Sequence, residues 1–216
     1  MIRCALLRGQ PDLDPASFLS PSEAGLIGPR AVPKRRDDFH RGRWIAKKLL
    51  MARFPGTGML DHVITPDERG VPIAHDALLR PRPVSLSITH TAGFAGAAVV
   101  DAPGQVGIDA EVMIAEPSAI ARDYFTEQEQ ALATGDPMAA TIIWSSKEAI
   151  AKALGEGLRL SLQSVRVVAI GEAAADGWRE VSVEGGLGVW AWVGGCVVAV
   201  AGAERPEWER KLGTGD

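Results

Sequence analysis

From Val84 to Thr89 apolar and hydroxyl side chains alternate: Val84, Leu86 and Ile88 fall on one face of an extended chain, Ser85, Ser87 and Thr89 on the other. That period of two predicts a half-buried strand. Apolar runs at Phe94–Asp101 and Gln105–Glu111 follow, separated by turn residues at Ala92-Gly93 and Pro103-Gly104, so the three segments read as one antiparallel meander. Upstream, the period changes. Between Lys34 and Phe54, Ile45/Leu49 and Ala46/Leu50 recur four apart, and Pro55-Gly56 ends the run, which predicts a helix. His62–Thr65 and Val71–Ala74 read as short strands around the turn Asp67-Glu68-Arg69-Gly70, whereas the first 33 residues, with five prolines, read as turns.

The second half follows the same plan. Thr126-Glu127-Gln128-Glu129 is a capping box opening a short helix, and Asp136-Pro137 supplies an N-cap and an N1 proline for a longer one running to about Leu154. Strands are predicted near Val165–Ile170, Trp178–Val183, Val189–Val193 and Cys196–Ala201. The 19 uncharged residues from Gly185 to Ala203 are long enough to span a bilayer, but six are glycine. Gly194-Gly195, between two β-rich runs, instead predicts a hairpin turn with positive φ. The tail from Glu204 to Asp216 is charged and is expected to fray. The expected fold is α+β: two similar subdomains, 1–103 and 104–216, in a pseudo-twofold arrangement, each a helix packed on an antiparallel meander.

Composition narrows the function. A net charge of −4 argues against a sequence-independent nucleic-acid binder. Two cysteines far apart, Cys4 and Cys196, argue against a disulfide framework or zinc site and fit a cytoplasmic location. The N-terminus turns polar too early for a signal peptide, and no membrane association is expected.

Against that acidic background, Arg30 to Arg53 holds nine Lys or Arg and only two acids, a pattern suited to an anionic ligand of limited size. Asp109 and Glu111 are two apart on a strand and share a face. Trp144, Glu148 and Lys152 form one stripe of the long helix. If stripe and strand meet, three carboxylates converge. At ~4 Å each pair repels by about 4 kcal/mol at an effective dielectric near 20, so they would require a hard cation such as Mg²⁺. The alternative is a solvated edge strand beside an ordinary Glu–Lys helix pair. No GxxxxGK, GxGxxG, HExxH or GxSxG motif is present, which disfavours the common nucleotide, zinc-peptidase and serine-hydrolase sites.

Three motifs in order, Ser87-Ile88-Thr89-His90-Thr91, Gly107-Ile108-Asp109-Ala110-Glu111 and the segment Trp144 to Leu158 (WSSKEAIAKALGEGL), resemble the 4'-phosphopantetheinyl transferases. Arg36 to Arg43 resembles that family's basic helix and Cys196–Gly202 its closing strand, so the likeness covers about residues 34 to 202. The length resembles the two-subdomain class that activates surfactin-type synthetases. The resemblance implies transfer of 4'-phosphopantetheine from coenzyme A to a serine of an apo acyl or peptidyl carrier protein, with Mg²⁺, by a monomer. It implies Asp109, Glu111 and Glu148 as Mg²⁺ ligands and Glu148 with Lys152 as catalytic groups. Arg43, helped by Arg35 or Arg36, would hold the 3'-phosphate. Thr89, His90, Asp109 and Lys152 would lie at the coenzyme's phosphates, and Gly70-Val71-Pro72 near its adenine. Many relatives have Lys where this chain has Val71, and Arg69 is the candidate to replace it. Other readings are a non-catalytic carrier-protein or coenzyme A binding module and an Mg²⁺-dependent phosphohydrolase.

Overall fold

The computed structural model describes residues 1–9, 11, 14–156, 160–184 and 188–209. Gly157 and Leu158, at the end of the third motif, and the tail from residue 210 lie outside these. In order, the elements are β1 (Arg3–Arg8), α1 (Pro21–Ala24), α2 (Pro33–Arg53), β2 (His62–Pro66), β3 (Pro72–Asp76), β4 (Val84–Thr91), β5 (Phe94–Asp101) and β6 (Val106–Glu111). Then follow α3 (Ser118–Tyr124), α4 (Glu127–Ala133), α5 (Pro137–Ala153), β7 (Val167–Ile170), β8 (Trp178–Val183), β9 (Gly188–Val193), β10 (Val197–Gly202) and β11 (Glu207–Trp208).

Two sheets form, in the orders β11-β1-β5-β4 and β6-β10-β9-β8-β7, while β2 and β3 pair by themselves. The fold is α+β with two subdomains. The helix α2 buries Ile45, Ala46, Leu49 and Leu50 against one face of the first sheet, and α5 buries Ile142, Ile143, Ala149 and Ile150 against the second. Between the sheets, Cys4, Ala98 and Val100 meet Ile108, Val198 and Val200. Central strands are therefore covered on both faces and read as unbroken apolar runs. That is why Val197–Gly202 resembles a membrane segment in sequence and is a core strand here. No helix among the described residues is long and apolar enough to cross a membrane. Both cysteines are buried and free.

The order β1-α1-α2-β2-β3-β4-β5 recurs as β6-α4-α5-β7-β8-β9-β10, with α3 inserted. One device recurs with it. Ser20 and Glu23 form a capping box on α1, as Thr126 and Glu129 do on α4. Each glutamate then accepts from a fully buried lysine on the following long helix, Lys47 at 2.6 Å and Lys147 at 2.8 Å. Each also accepts from a backbone N–H, of Ile64 or Val167. Both lysines stand three residues after a tryptophan, Trp44 and Trp144.

Three expectations are corrected. First, β4, β5 and β6 do not form one meander: β6 leaves to pair with β10. Its outer edge donates from Ile108 N and Ala110 N to Ser87 Oγ and Thr89 Oγ1 of β4, each at 3.1 Å. The polar face of the alternating strand is thus a seam between the sheets. Second, Gly194 and Gly195 do turn the β9–β10 hairpin, but neither has positive φ. Their need is space, since a Cβ on Gly194 would lie 2.0 Å from the Trp192 ring. Third, residues 3–8 and 207–208 form strands. β1 forms in the turn-rich opening segment, and β11 pairs with it in parallel, so residues 207–208 join the first sheet rather than the second half. Trp208 stacks on Trp178 at 5.0 Å and meets Trp192 edge-on, which anchors β11.

His62 begins β2 fully buried, with one ring nitrogen 2.8 Å from Thr57 Oγ1 and Nδ1 unpartnered. Burial first, then the charges of Arg82 and Lys47, push its pKa from 6.5 down to about 4. The unfolded chain therefore takes up this proton before the folded one does. Stability from His62 is present above pH 6.5 and is lost as pH falls towards 4, by at most about 1.4 kcal/mol per pH unit. Urea unfolding of the wild type and His62→Gln across that window should show the wild type losing stability more steeply; parallel curves would refute this.

Candidate active site

Along one face of α2 lies a cleft of about 690 Å³, lined by Lys34, Arg35, Asp38, Arg43 and His90 among others. The helix can approach β4 because residue 42 is glycine: a Cβ there would stand 3.0 Å from Ile88 Cγ2. This close crossing brings Arg43 of α2 and His90 of β4 to one cleft. The Arg43 guanidinium lies over the Phe39 ring at 4.6 Å, with Nε 3.8 Å from Glu23 Oε1. Burial pushes its pKa down and Glu23 partly restores it. Asp38 is buried among the cations. It accepts from Lys34 Nζ at 2.9 Å and from Arg41, with His90 Nδ1 at 3.9 Å, and these contacts hold its pKa low against the opposing effect of burial. Arg36, expected beside Arg43, instead donates to the carbonyls of Pro29 and Ala31, outside the cleft, because it leaves the helix on the side of the incoming chain.

The β2–β3 turn closes the cleft. Asp67 accepts from the backbone N–H of Arg69 and Val71, both at 2.8 Å, and Gly70 takes φ +86°. Gly70 and Pro72 continue into a smaller cleft of about 180 Å³ that also contains Arg69, Ser87 and Lys152. Val71 packs towards Gly155 at the end of α5, and Arg69 lines the same cleft.

On β6, Gly107, Asp109 and Glu111 face α5. Asp109 is buried: its Oδ1 accepts from Lys152 Nζ at 2.7 Å and Thr89 Oγ1 at 3.2 Å, and its Oδ2 has no partner. Lys152 also donates to Ile108 O at 3.1 Å. Glu111 accepts from Thr91 Oγ1 at 3.3 Å. Its pKa is raised by burial and then by Asp109; the Glu148 carboxyl is raised by the same two causes and lowered by Lys152. Asp109 thus acts on both Glu111 and Glu148. Thr89, expected at the phosphates, is buried with its hydroxyl committed to Ala110 N and Asp109, so it orients the acid.

Among the described residues, no three His, Cys, Asp or Glu side chains are gathered as a ready metal centre. The donor set nevertheless fits a hard divalent cation, being all carboxylate oxygen with Asp109 Oδ2 buried and unsatisfied. Beyond Lys152, a third groove of about 510 Å³ is lined by Tyr124, Glu148, Lys152 and Leu160–Gln163. Tyr124 meets Trp144 edge-on at 5.2 Å. Nothing in the local sequence of 160–163 marks that wall; only the fold brings it to Glu148.

The three hollows follow one another, the first two sharing Gly70, Pro72 and Ile88 and the last two sharing Lys152. A long ligand with cation-binding groups at one end and in the middle fits such a path. Comparison with known families adds two matches: the 4'-phosphopantetheinyl transferase N-terminal domain over residues 22–100 and the 4'-phosphopantetheinyl transferase superfamily over residues 105–182. Among solved structures, the chain is similar to the Helicobacter pylori holo-[acyl-carrier-protein] synthase crystallised with coenzyme A. The two are 22% identical, with a TM-score of 0.36, over 47% of this chain and 100% of that one. No curated protein matches the chain.

Proposed function

Because the chain belongs to the 4'-phosphopantetheinyl transferase superfamily, we propose that it moves 4'-phosphopantetheine from coenzyme A to a serine of an apo carrier protein. The observation that carries this reading is Lys152, which reaches from α5 to Asp109 where the smaller cleft and the groove beyond it meet. The 3'-phosphate would lie with Arg43, Arg35, Lys34 and His90. The diphosphate would lie between Arg69 and Lys152, and the pantetheine arm would continue past Lys152 towards Tyr124 and Leu162.

In the reaction the serine oxygen attacks the phosphorus bearing pantetheine, and the bond to the bridging oxygen breaks, releasing 3',5'-ADP. The serine proton passes to Glu148, directly or through a water; burial and Asp109 raise the pKa of this carboxyl, the direction that favours proton uptake. Lys152 and Arg69 meet the charge that grows on the leaving diphosphate oxygen. Asp109, Glu111 and Glu148 would hold Mg²⁺, which when bound offsets phosphate charge. Thr89 and Thr91 keep Asp109 and Glu111 oriented. A cytoplasmic location and a monomer go with this proposal.

Mass spectrometry tests it. An apo carrier protein incubated with the enzyme, coenzyme A and Mg²⁺ should gain one phosphopantetheine on serine, and excess EDTA should abolish the gain. Coenzyme A cleaved without a carrier protein would point to a phosphohydrolase, and binding without either reaction to a non-catalytic module.

A further inference from the structure

We propose that Lys147 is a positioning residue for this reaction: it fixes the Leu160–Gln163 wall and so sets the fit of the pantetheine arm, without touching substrate. The inference rests on the transfer reading above. Lys147 immediately precedes Glu148 in sequence, yet its side chain is fully buried on the other side of α5's functional stripe. An ammonium has three N–H donors. All three are used, on Glu129 Oε1 at 2.8 Å, Leu162 O at 2.9 Å and Val165 O. None remains for a phosphate.

One of those acceptors, Leu162 O, belongs to the wall itself, and Val165 O lies just beyond it. Leu162 to Ser164 is a single 3-10 turn without a side-chain cap, so Lys147 supplies anchorage that the segment's own hydrogen bonds lack. Glu129 completes the tie by accepting from Val167 N at 2.8 Å, where β7 begins. A shift of Lys147 therefore moves the wall facing Glu148 and Lys152 across the third groove.

The first half contains a matched comparison. Lys47 donates to Glu23 Oε2 at 2.6 Å and to Phe18 O, but Glu23 also backs Arg43, whose Nε is 3.8 Å from it. Losing Lys47 leaves Glu23 free to draw Arg43 from a phosphate, so that copy governs the nucleotide end. The same device, used twice, thus supports opposite ends of one ligand.

Calorimetric titration separates the two, using coenzyme A and its fragment 3',5'-ADP in Mg²⁺, with melting curves alongside. Lys147→Met should weaken coenzyme A tenfold or more while 3',5'-ADP stays within twofold of the wild type. Lys47→Met should weaken both ligands by a similar factor. If Lys147→Met weakens both alike, or neither, the positioning role is overturned and the transfer reading stands. A wild-type protein that binds neither ligand overturns both. If Lys147→Met does not fold, Glu129→Gln replaces it, since it keeps the capping-box acceptor and removes the charge partner. The same split between the two ligands is then expected, and its absence overturns the role.

Discussion

Gly107→Ala is expected to prevent the second half from folding. An added Cβ would lie 1.8 Å from Ala149 O and 2.6 Å from Ala153 N. These are main-chain atoms of α5, so no side-chain rotation relieves the overlap. The helix must move off β6, and the core between them opens. Ordinary overpacking costs about 1–3 kcal/mol; here a whole helix is displaced, and a loss above ~4 kcal/mol is expected, comparable with the stability of a marginal domain. Gly28→Ala is the control, because no atom lies within 4 Å of a Cβ there and its φ is not positive. Thermal melts followed by circular dichroism compare the two. A Gly107→Ala protein melting within a few degrees of the wild type would show that α5 does not lie against β6 as described.

The largest effect on chemistry is expected at Lys152. Its ammonium bonds Asp109 at 2.7 Å and lines both the diphosphate cleft and the groove beyond. Lys152→Ala should lower turnover 10²-fold or more, in line with the ~3–4 kcal/mol of barrier typical for a group that stabilises developing charge. The protein should still fold, since the side chain is 30% exposed and its loss opens no core cavity, but with a lower melting temperature, because buried Asp109 loses its cation. Steady-state transfer to an apo carrier protein, with a melting curve on the same sample, checks this. Near-normal turnover in a folded Lys152→Ala protein would remove Lys152 from the mechanism.

Local signals in the sequence made much of this legible. The N1 proline of α5, the Asp136 cap and the Thr126 box each act within four residues, and the structure has them where they are expected. The stripe of Glu148 and Lys152 and the pair Asp109 and Glu111 could be written down as two separate faces; that Lys152 reaches Asp109 depends on the packing of α5 on β6, which Gly107 permits.

What escaped was long-range. β1 is short and covered on both faces, so RCALLR shows no alternation, and its partners lie at Phe94–Asp101 and Glu207–Trp208. The assignment of β6 to a meander failed because adjacency in sequence favoured β5, while the hydroxyls of Ser87 and Thr89 supplied a different neighbour. Arg36 and Thr89 were placed by motif position, yet the direction in which each side chain leaves its element decides its contacts. The repeated tryptophan-to-lysine spacing was a readable signal. It gains meaning only when each lysine is seen to meet a capping-box glutamate.

The pairing of β11 with β1 bears on synthesis. Cys4 donates to Glu207 O across 203 residues of chain, so one edge of the first sheet stays bare until that stretch has emerged from the ribosome. At ~5–20 residues per second the wait is roughly 10–40 s. Throughout it, the exposed rim of β1 is open to pairing with a neighbouring nascent chain, so yield on crowded polysomes should depend on whatever shields that rim.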